Sequence, residues 1–210
     1  VLIGQSGGVQ NWHDVVLYLE SEVLATLTPS ERAVLELSTI FRYPMPLRAL
    51  TSVPGTGFDD LKSLMDKSLI QHTSEDLYDV HDLIRETAAR LRGLAEEREL
   101  HRRAFEYLKE HIGTDPRYAI EAQYHARCAS SPHEAAVIAS DLGLSIIENG
   151  YLEEFMEELS ALEESSLPPA LGFTVKRLIG EILSIWGEWD MALQKFREAA
   201  IGFDKVGDLV

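Results

Sequence analysis

Cysteine is nearly missing from this sequence: Cys128 is the single one among 210 residues. It has no partner for an intrachain disulfide and no companions for a zinc site, which fits a reducing intracellular setting. Long apolar runs are missing too. No stretch approaches the roughly 20 apolar residues that span a bilayer, and the N-terminus has no charged region followed by an apolar core. The chain is therefore expected to be soluble and cytoplasmic, with no membrane partner. Positive charge is scarce, with 19 Lys and Arg against 35 Asp and Glu, for a net charge of -16. Nucleic-acid affinity comes largely from neutralising phosphates, so this balance disfavours a polyanion partner unless one face is locally basic. Also absent is a GxxxxGK[ST] phosphate loop, since GQSGG at residues 4–8 lacks the Lys and the Ser/Thr. By itself the chain is expected to hydrolyse no ATP, and it is not read as an enzyme.

What is present is a mixed region followed by an all-helical one. With 45% hydrophobic residues the chain has the material for a sizeable core. DVVLYLESEVLAT at 14–26 has helical apolar spacing through Val15, Val16, Leu19, Val23 and Leu24. LTPSERAVLELSTIF carries a strong helix start: Thr28 as cap, Pro29 in the first turn, and Glu31 where a capping box wants an acid. Pro44 and Pro46 are expected to end that helix and open a second one, PLRALTSV. A third helix fits FDDLKSLMDKSLI, with Leu61, Leu64, Met65 and Leu69 on one stripe. SLIQH and LYDVH are strand-like runs joined by the polar turn TSED. Three helices and then a two-stranded hairpin is the order of a winged helix.

From His81 onward the pattern is helical. Gly150, Leu152, Phe155, Met156 and Leu159 align with Gly187, Trp189, Ala192, Leu193 and Phe196 at a constant offset of 37 residues, a period typical of helical-hairpin arrays. GEILSIWGEWDMALQKFREAA matches the tetratricopeptide pattern, with Gly180, Ala192 and Ala199 at the small positions and Phe196 at the aromatic one. The earlier units, at 120–143 and 144–162, are degenerate. The fold class expected is mainly α: a winged-helix domain at 27–95, a linker helix at 96–116, and an α-solenoid of tetratricopeptide-like hairpins at 117–210.

LTPSERAVLELSTIFRYPMPL, then LMDKSLIQHTSEDLYDVHDLIRETA, then tetratricopeptide-like repeats resembles the C-terminal half of the signal-transduction ATPases with numerous domains, the STAND group that includes NB-ARC regulators. The resemblance covers nearly the whole chain. Its most specific element is DVHDLI, which is similar to that group's Met-His-Asp motif with Val80 in the Met place. The resemblance implies that His81 reaches the β-phosphate of ADP bound to an upstream ATPase domain, and that Asp82 fixes the geometry of the helix start. It also implies ADP or ATP with magnesium in the full-length parent, and no cofactor in this chain alone. The winged helix would be a lid that senses nucleotide, and the repeats an arm whose groove takes a protein or small ligand. Residues 1–26 are then expected to be the tail of the upstream domain or an expression remnant, and further repeats are expected past Val210. The bland reading of the residues is that His81 caps a helix and Asp82 complements its dipole.

Other constellations point less far. Residues 27–95 hold 8 Lys and Arg against 10 Asp and Glu, and the third helix carries Asp59, Asp60 and Asp66 against Lys62 and Lys67. The candidate wing holds Glu75 and Asp76. A DNA-binding regulator with a repeat effector domain is thus the second reading, and DNA is disfavoured as a partner. A free-standing adaptor is a third. EEFMEE and the pair Glu163–Glu164 read as solvated helix faces, and no metal site is expected. His125 and Cys128, three residues apart, could suggest a base and a nucleophile, but packing beside a repeat helix is the simpler account. Tyr124, Trp186 and Trp189 read as repeat core or groove. Arg85, Arg90, Arg92, Arg98, Arg102 and Arg103, interleaved with four Glu, read as exposed, salt-bridged linker helices or as a contact for an acidic surface.

Overall fold

The computed structural model describes residues 18–73, 76–113, 115–163 and 165–207. The chain divides into two compact units, Val1–Gly93 and Leu94–Val210. Of the helix expected at 14–26, residues 14–17 lie outside the described residues. So do GQSGG, Ser74 and Glu75 of the turn, Glu164, and the last three residues. Leu19–Val23 forms a π-helical turn and Leu24–Thr26 a 3₁₀ turn. Among the described residues no helix is long and apolar enough to cross a membrane.

The first unit starts from the capping box. The Thr28 hydroxyl accepts from the Glu31 N–H at 3.2 Å and the Glu31 carboxylate accepts from the Thr28 N–H at 2.8 Å, so α1 (Pro29–Ser38) begins where the sequence predicts. Val34, Leu35 and Leu37 of α1 are buried. α3 (Phe58–Asp66) packs on α1 through Leu61 and Leu64, both fully buried. It ends at Asp66, and Leu69, expected on the same stripe, is buried beyond the helix end, where its N–H donates to Leu64 O at 3.0 Å. β2 (Ile70–His72) and β3 (Leu77–Val80) pair antiparallel as predicted, with Ile70 opposite Val80 and His72 opposite Tyr78.

Two features differ from expectation. The second helix, α2, is a single turn, Leu47–Leu50. The two residues before it, Met45–Pro46, form β1, which pairs with β3 and makes a three-stranded sheet of order β1-β3-β2. Pro46 is tolerated there because β1 is an edge strand that need not donate on its outer side.

Glu31 has a second task. Only 5% exposed, its carboxylate accepts from Lys67 Nζ at 2.5 Å and from the Ser63 hydroxyl, which ties the start of α1 to α3. The Lys67 hydrogen bond, then those from Ser63 and the Thr28 N–H, hold its pKa down to about 2 from the usual 4.5, against the opposite pull of burial.

Among the described residues the second unit holds six helices: α5 (Leu94–Lys109), α6 (Pro116–Cys128), α7 (Pro132–Glu148), α8 (Leu152–Glu163), α9 (Pro169–Ile185) and α10 (Trp189–Val206). The segment read as a linker lies within this unit, where α5 packs on α6. Each helix packs on the next, and α6 also meets α8 and α7 meets α9, the pattern of a helical repeat. The offset of 37 is visible in the backbone. Gly150 and Gly187 take left-handed φ values of +85° and +83°, and Tyr151 N–H donates to Ile146 O as Glu188 N–H does to Leu183 O. It is visible in the crossings as well. A Cβ on Gly143 would lie 2.8 Å from Leu178 Cδ1, and one on Gly180 would lie 2.8 Å from Phe196 Cε1. Ala192 and Ala199, the other small positions, are buried.

Two outcomes follow from these contacts. Gly143→Ala should lose about 1–3 kcal/mol in urea unfolding, because Leu178 and Phe155 around it are fully buried and cannot yield. Gly172→Ala, in α9 with nothing within 4 Å of a new Cβ, should gain up to about 1 kcal/mol from helix propensity. Glu31→Gln should cost about 2 kcal/mol at pH 7. Because the native carboxyl titrates near 2 and an unfolded one near 4.5, that stability is present above pH 4.5 and lost as pH falls toward 2. The gap between wild type and Glu31→Gln, followed by urea unfolding across pH 2–7, should therefore close from about pH 4.5 downward.

Candidate functional site

His81 stands where β3 gives way to α4 (Asp82–Leu91). It is the N-cap: its backbone is extended, with φ -60° and ψ 137°, and Nδ1 accepts from the Leu83 N–H at 3.3 Å. Its carbonyl accepts from the N–H groups of Ile84 and Arg85. A neutral imidazole that accepts at Nδ1 carries its proton on Nε2, so the ring offers one N–H donor. The ring is exposed. Asp82, also exposed, is the first residue of α4, where a negative charge complements the helix dipole. The two predicted site residues thus lie side by side at one helix start.

That start is held by Arg85. One guanidinium nitrogen donates to Thr39 O at 3.0 Å and to Phe41 O, the other to Asp79 Oδ1 at 2.9 Å and Val80 O at 3.4 Å. Asp79 in turn accepts from the Val80 N–H at 2.8 Å. The segment after α1, the strand β3 and the helix α4 are thereby joined at one side chain. Ile84, Thr87 and Ala88 bury the inner face of α4 and leave the His81 end outward. Arg85 is read in the sequence as one of a series of linker arginines, but it is a structural clasp. Its partners are backbone carbonyls, which no side-chain pattern reveals.

The rest of the arginine series is local. Arg102 and Arg103 both donate to Glu99. Those bonds, Arg102 first, hold the Glu99 carboxyl at about 2. At the C-terminal end of α3, Lys67 caps the helix and is engaged by Glu31, and at its start Asp60 accepts from the Gly57 N–H at 2.8 Å. The residues that would face a DNA groove from this helix are thus partly occupied within the fold.

His125 is fully buried and does not form an exposed pair with Cys128. Its Nδ1 lies 2.7 Å from Nδ1 of His101, on α5, which is also buried. The Tyr124 ring meets both imidazoles edge-on, at 5.4 and 5.1 Å between centroids. Cys128 lines a cleft of 290 Å³ with Glu97, Arg98, His101 and Tyr124. The sequence reading missed this pairing because 24 residues separate the two histidines. Trp186 and Trp189, read as core or groove, are 44% and 69% exposed. Among the described residues no group of three or more His, Cys, Asp or Glu is placed to hold a metal ion.

No family model and no curated protein matches the chain. Among solved structures it is similar to the signal transduction ATPase with numerous domains (STAND) protein with a tetratricopeptide repeat sensor from Pyrococcus horikoshii. The identity is 17% and the TM-score 0.48, over 91% of this chain and 34% of that one. The chain thus spans about a third of the length of that protein.

Arg85→Ala should release the clasp at a cost of about 2–4 kcal/mol, because it strands carbonyls and the Asp79 carboxylate together. Amide hydrogen exchange of Leu35 and Val80 should accelerate roughly 30- to 1,000-fold. Arg85→Lys should recover less than half of this, since one ammonium cannot serve both sets of acceptors. Unchanged exchange in Arg85→Ala would show that the clasp contributes nothing.

Proposed function

We propose that the chain is the non-catalytic lid and arm of an intracellular, cytoplasmic regulatory ATPase of the STAND class. The first unit is a winged helix, α1 to α3 followed by the β2–β3 hairpin, and His81 reports nucleotide state from it. The second unit is a tetratricopeptide-like arm that binds a protein or small ligand. The observation that carries this reading is the His81 cap: accepting through Nδ1 leaves the Nε2–H of an exposed residue as a donor, the group a phosphate oxygen needs. A neutral N–H donor held on a rigid helix start is a suitable sensor, because the Arg85 clasp fixes where the donor stands.

In such a protein the ATPase domain upstream supplies the phosphate loop and magnesium, and the lid adds one contact specific to the ADP-bound, closed state. A charge-assisted hydrogen bond is worth about 1.5–3 kcal/mol, enough to shift a two-state balance by roughly tenfold to a hundredfold. The arm couples to the lid when its ligand distinguishes the same two states. The DNA-regulator reading is less well supported, because Lys67, which caps α3, is held by Glu31 and α3 carries three acids.

The chain alone should bind ADP no tighter than millimolar and hydrolyse no ATP above background, since one donor makes almost none of the contacts a nucleotide needs. In the full-length parent, His81→Ala should speed ADP release by tenfold or more and raise basal activity. Micromolar ADP affinity of this chain in calorimetry, or unchanged ADP release in the variant, would refute the sensor role. A duplex-DNA shift that weakens steeply with salt would favour the other reading.

A further inference from the structure

We propose that the buried His101–His125 pair is a proton-operated latch, which holds α5 against α6 at neutral pH and releases it as the pH falls toward about 5. The two rings belong to different helices, and their Nδ1 atoms lie 2.7 Å apart, with 4.9 Å between centroids. His125 is fully buried and His101 is only 3% exposed. Each of α6 to α9 is packed by several other helices of this unit, whereas α5 packs chiefly on α6. Whatever joins these two helices therefore decides where α5 stands. Such a latch does not depend on nucleotide sensing at His81.

The distance fixes how many protons the closed pair can hold. At 2.7 Å one Nδ1 must donate to the other, so one of these nitrogens carries a hydrogen and the other a lone pair. A first added proton goes to Nε2 of the donating ring, and the bridge survives between imidazolium and imidazole. A second has only the accepting Nδ1 left, where two N–H groups would point at each other. Separated helices face no such limit, and each solvated imidazole takes its proton near a pH of about 6.5. Below that pH the open form binds at least one proton more than the closed one. The stability of the closed form is therefore complete above about pH 6.5 and is lost as the pH falls below it.

The surroundings govern the first proton and not the second. Along the cleft that His101 lines stand Glu97 and Arg98 of α5 with Tyr124 and Cys128 of α6, and this cleft is the proton's way in. Glu121, one turn before His125 on α6, is fully buried. From α8, Glu158 pairs at 3.2 Å with Arg127, whose guanidinium lies 5.6 Å from the Tyr124 ring centroid. The inner face of α7 is apolar around Ala135, Ala136 and Ala139, and its His133, Glu134 and Asp141 are exposed. His111, just past α5, has its Nδ1 2.8 Å from Tyr107 O, a bond that an added proton on Nε2 leaves in place. A carboxylate nearby can compensate one charge on the pair. None makes room for two hydrogens within 2.7 Å.

The test follows amide hydrogen exchange across the whole chain as pH is lowered. Between about pH 7.5 and 5, exchange protection in α5 should fall roughly 30-fold or more, while that in α9 changes by about threefold at most. A double variant, His101→Gln with His125→Gln, keeps a donor and an acceptor on each side but no titrating ring, and its α5 should respond by about threefold at most. Either single variant should respond less than wild type. Nitrogen resonances of the two imidazoles in the wild-type chain give a readout that needs no variant. At neutral pH one Nδ1 of the pair should be protonated, and the second should gain its proton only together with the loss of α5 protection. Unchanged α5 protection at low pH overturns the proposal, and so does a loss shared equally by α9 or one retained in full by the double variant. Two fully protonated rings beside an undisturbed α5 overturn it as well.

Discussion

One guanidinium organises the first unit. A helix start is a poor place to hold a side chain in a fixed position, since the first turn frays and its N–H groups look for partners. Here the end of α1, the strand β3 and the first turn of α4 are bonded to Arg85 together, through carbonyls of Thr39, Phe41 and Val80 and the carboxylate of Asp79. Arginine is the residue that can do this, because its planar fork presents several donors at once and stays charged in a half-buried setting. His81, four residues before Arg85, inherits its position from that clasp. Glu31 acts as the counterpart at the other end of α1, where one carboxylate closes the capping box and collects α3 through Ser63 and Lys67.

The second unit solves a different problem with a repeated solution. Each hairpin is too small to bury its own apolar face, so the helices stack, and the stacking distance is set by Gly143 and Gly180. Ion pairs then run between alternate helices: Arg127 of α6 with Glu158 of α8, and Glu163 of α8 with Lys195 of α10. Glu158 and Lys195 are equivalent at the repeat offset yet opposite in charge. The position therefore keeps its geometry and is free in sign, provided that the helix two before it supplies the complement. Such pairs add register more than stability, since their net worth after desolvation is small.

What the sequence made legible was whatever depends on near neighbours. The capping box spans four residues, the hairpin is set by two alternating runs, and the repeat is announced by small residues and turn glycines at a fixed offset. The α6–α7 turn has the same backbone as the glycine turns, with Ser131 N–H donating to Ala126 O at 2.8 Å, but Ser130 takes the left-handed position at φ +66°. With a serine in the glycine place, the pattern reads as degenerate although the chain path is the same. β1 was hidden because two residues have no period. The His101–His125 pair and the Arg85 clasp were hidden because each joins residues far apart in sequence, and the clasp does so through carbonyls that every residue possesses. At the His81 site, the residue and its place at a helix start were readable, while the reason for its fixed position was not.

At His81, capping the helix and the proposed sensing of a phosphate would not be rivals. Read from sequence, a His-Asp pair at a helix start is either a cap or a phosphate sensor, and the two readings compete. In three dimensions they use different nitrogens: Nδ1 accepts the Leu83 N–H, and the proton this leaves on Nε2 is the one a phosphate would accept. The cap therefore selects the tautomer that the proposed sensor would require and orients the ring, as a second hydrogen bond does for histidines with a ligand on their other nitrogen. Aspartate could cap this helix equally well, since a side-chain oxygen satisfies the same N–H. An ionised carboxylate has no donor to place on the far side, so the capping role alone leaves the choice of histidine unexplained. A chain that needed only the helix start had simpler residues available, and that surplus chemistry at position 81 is what supports the proposed phosphate contact.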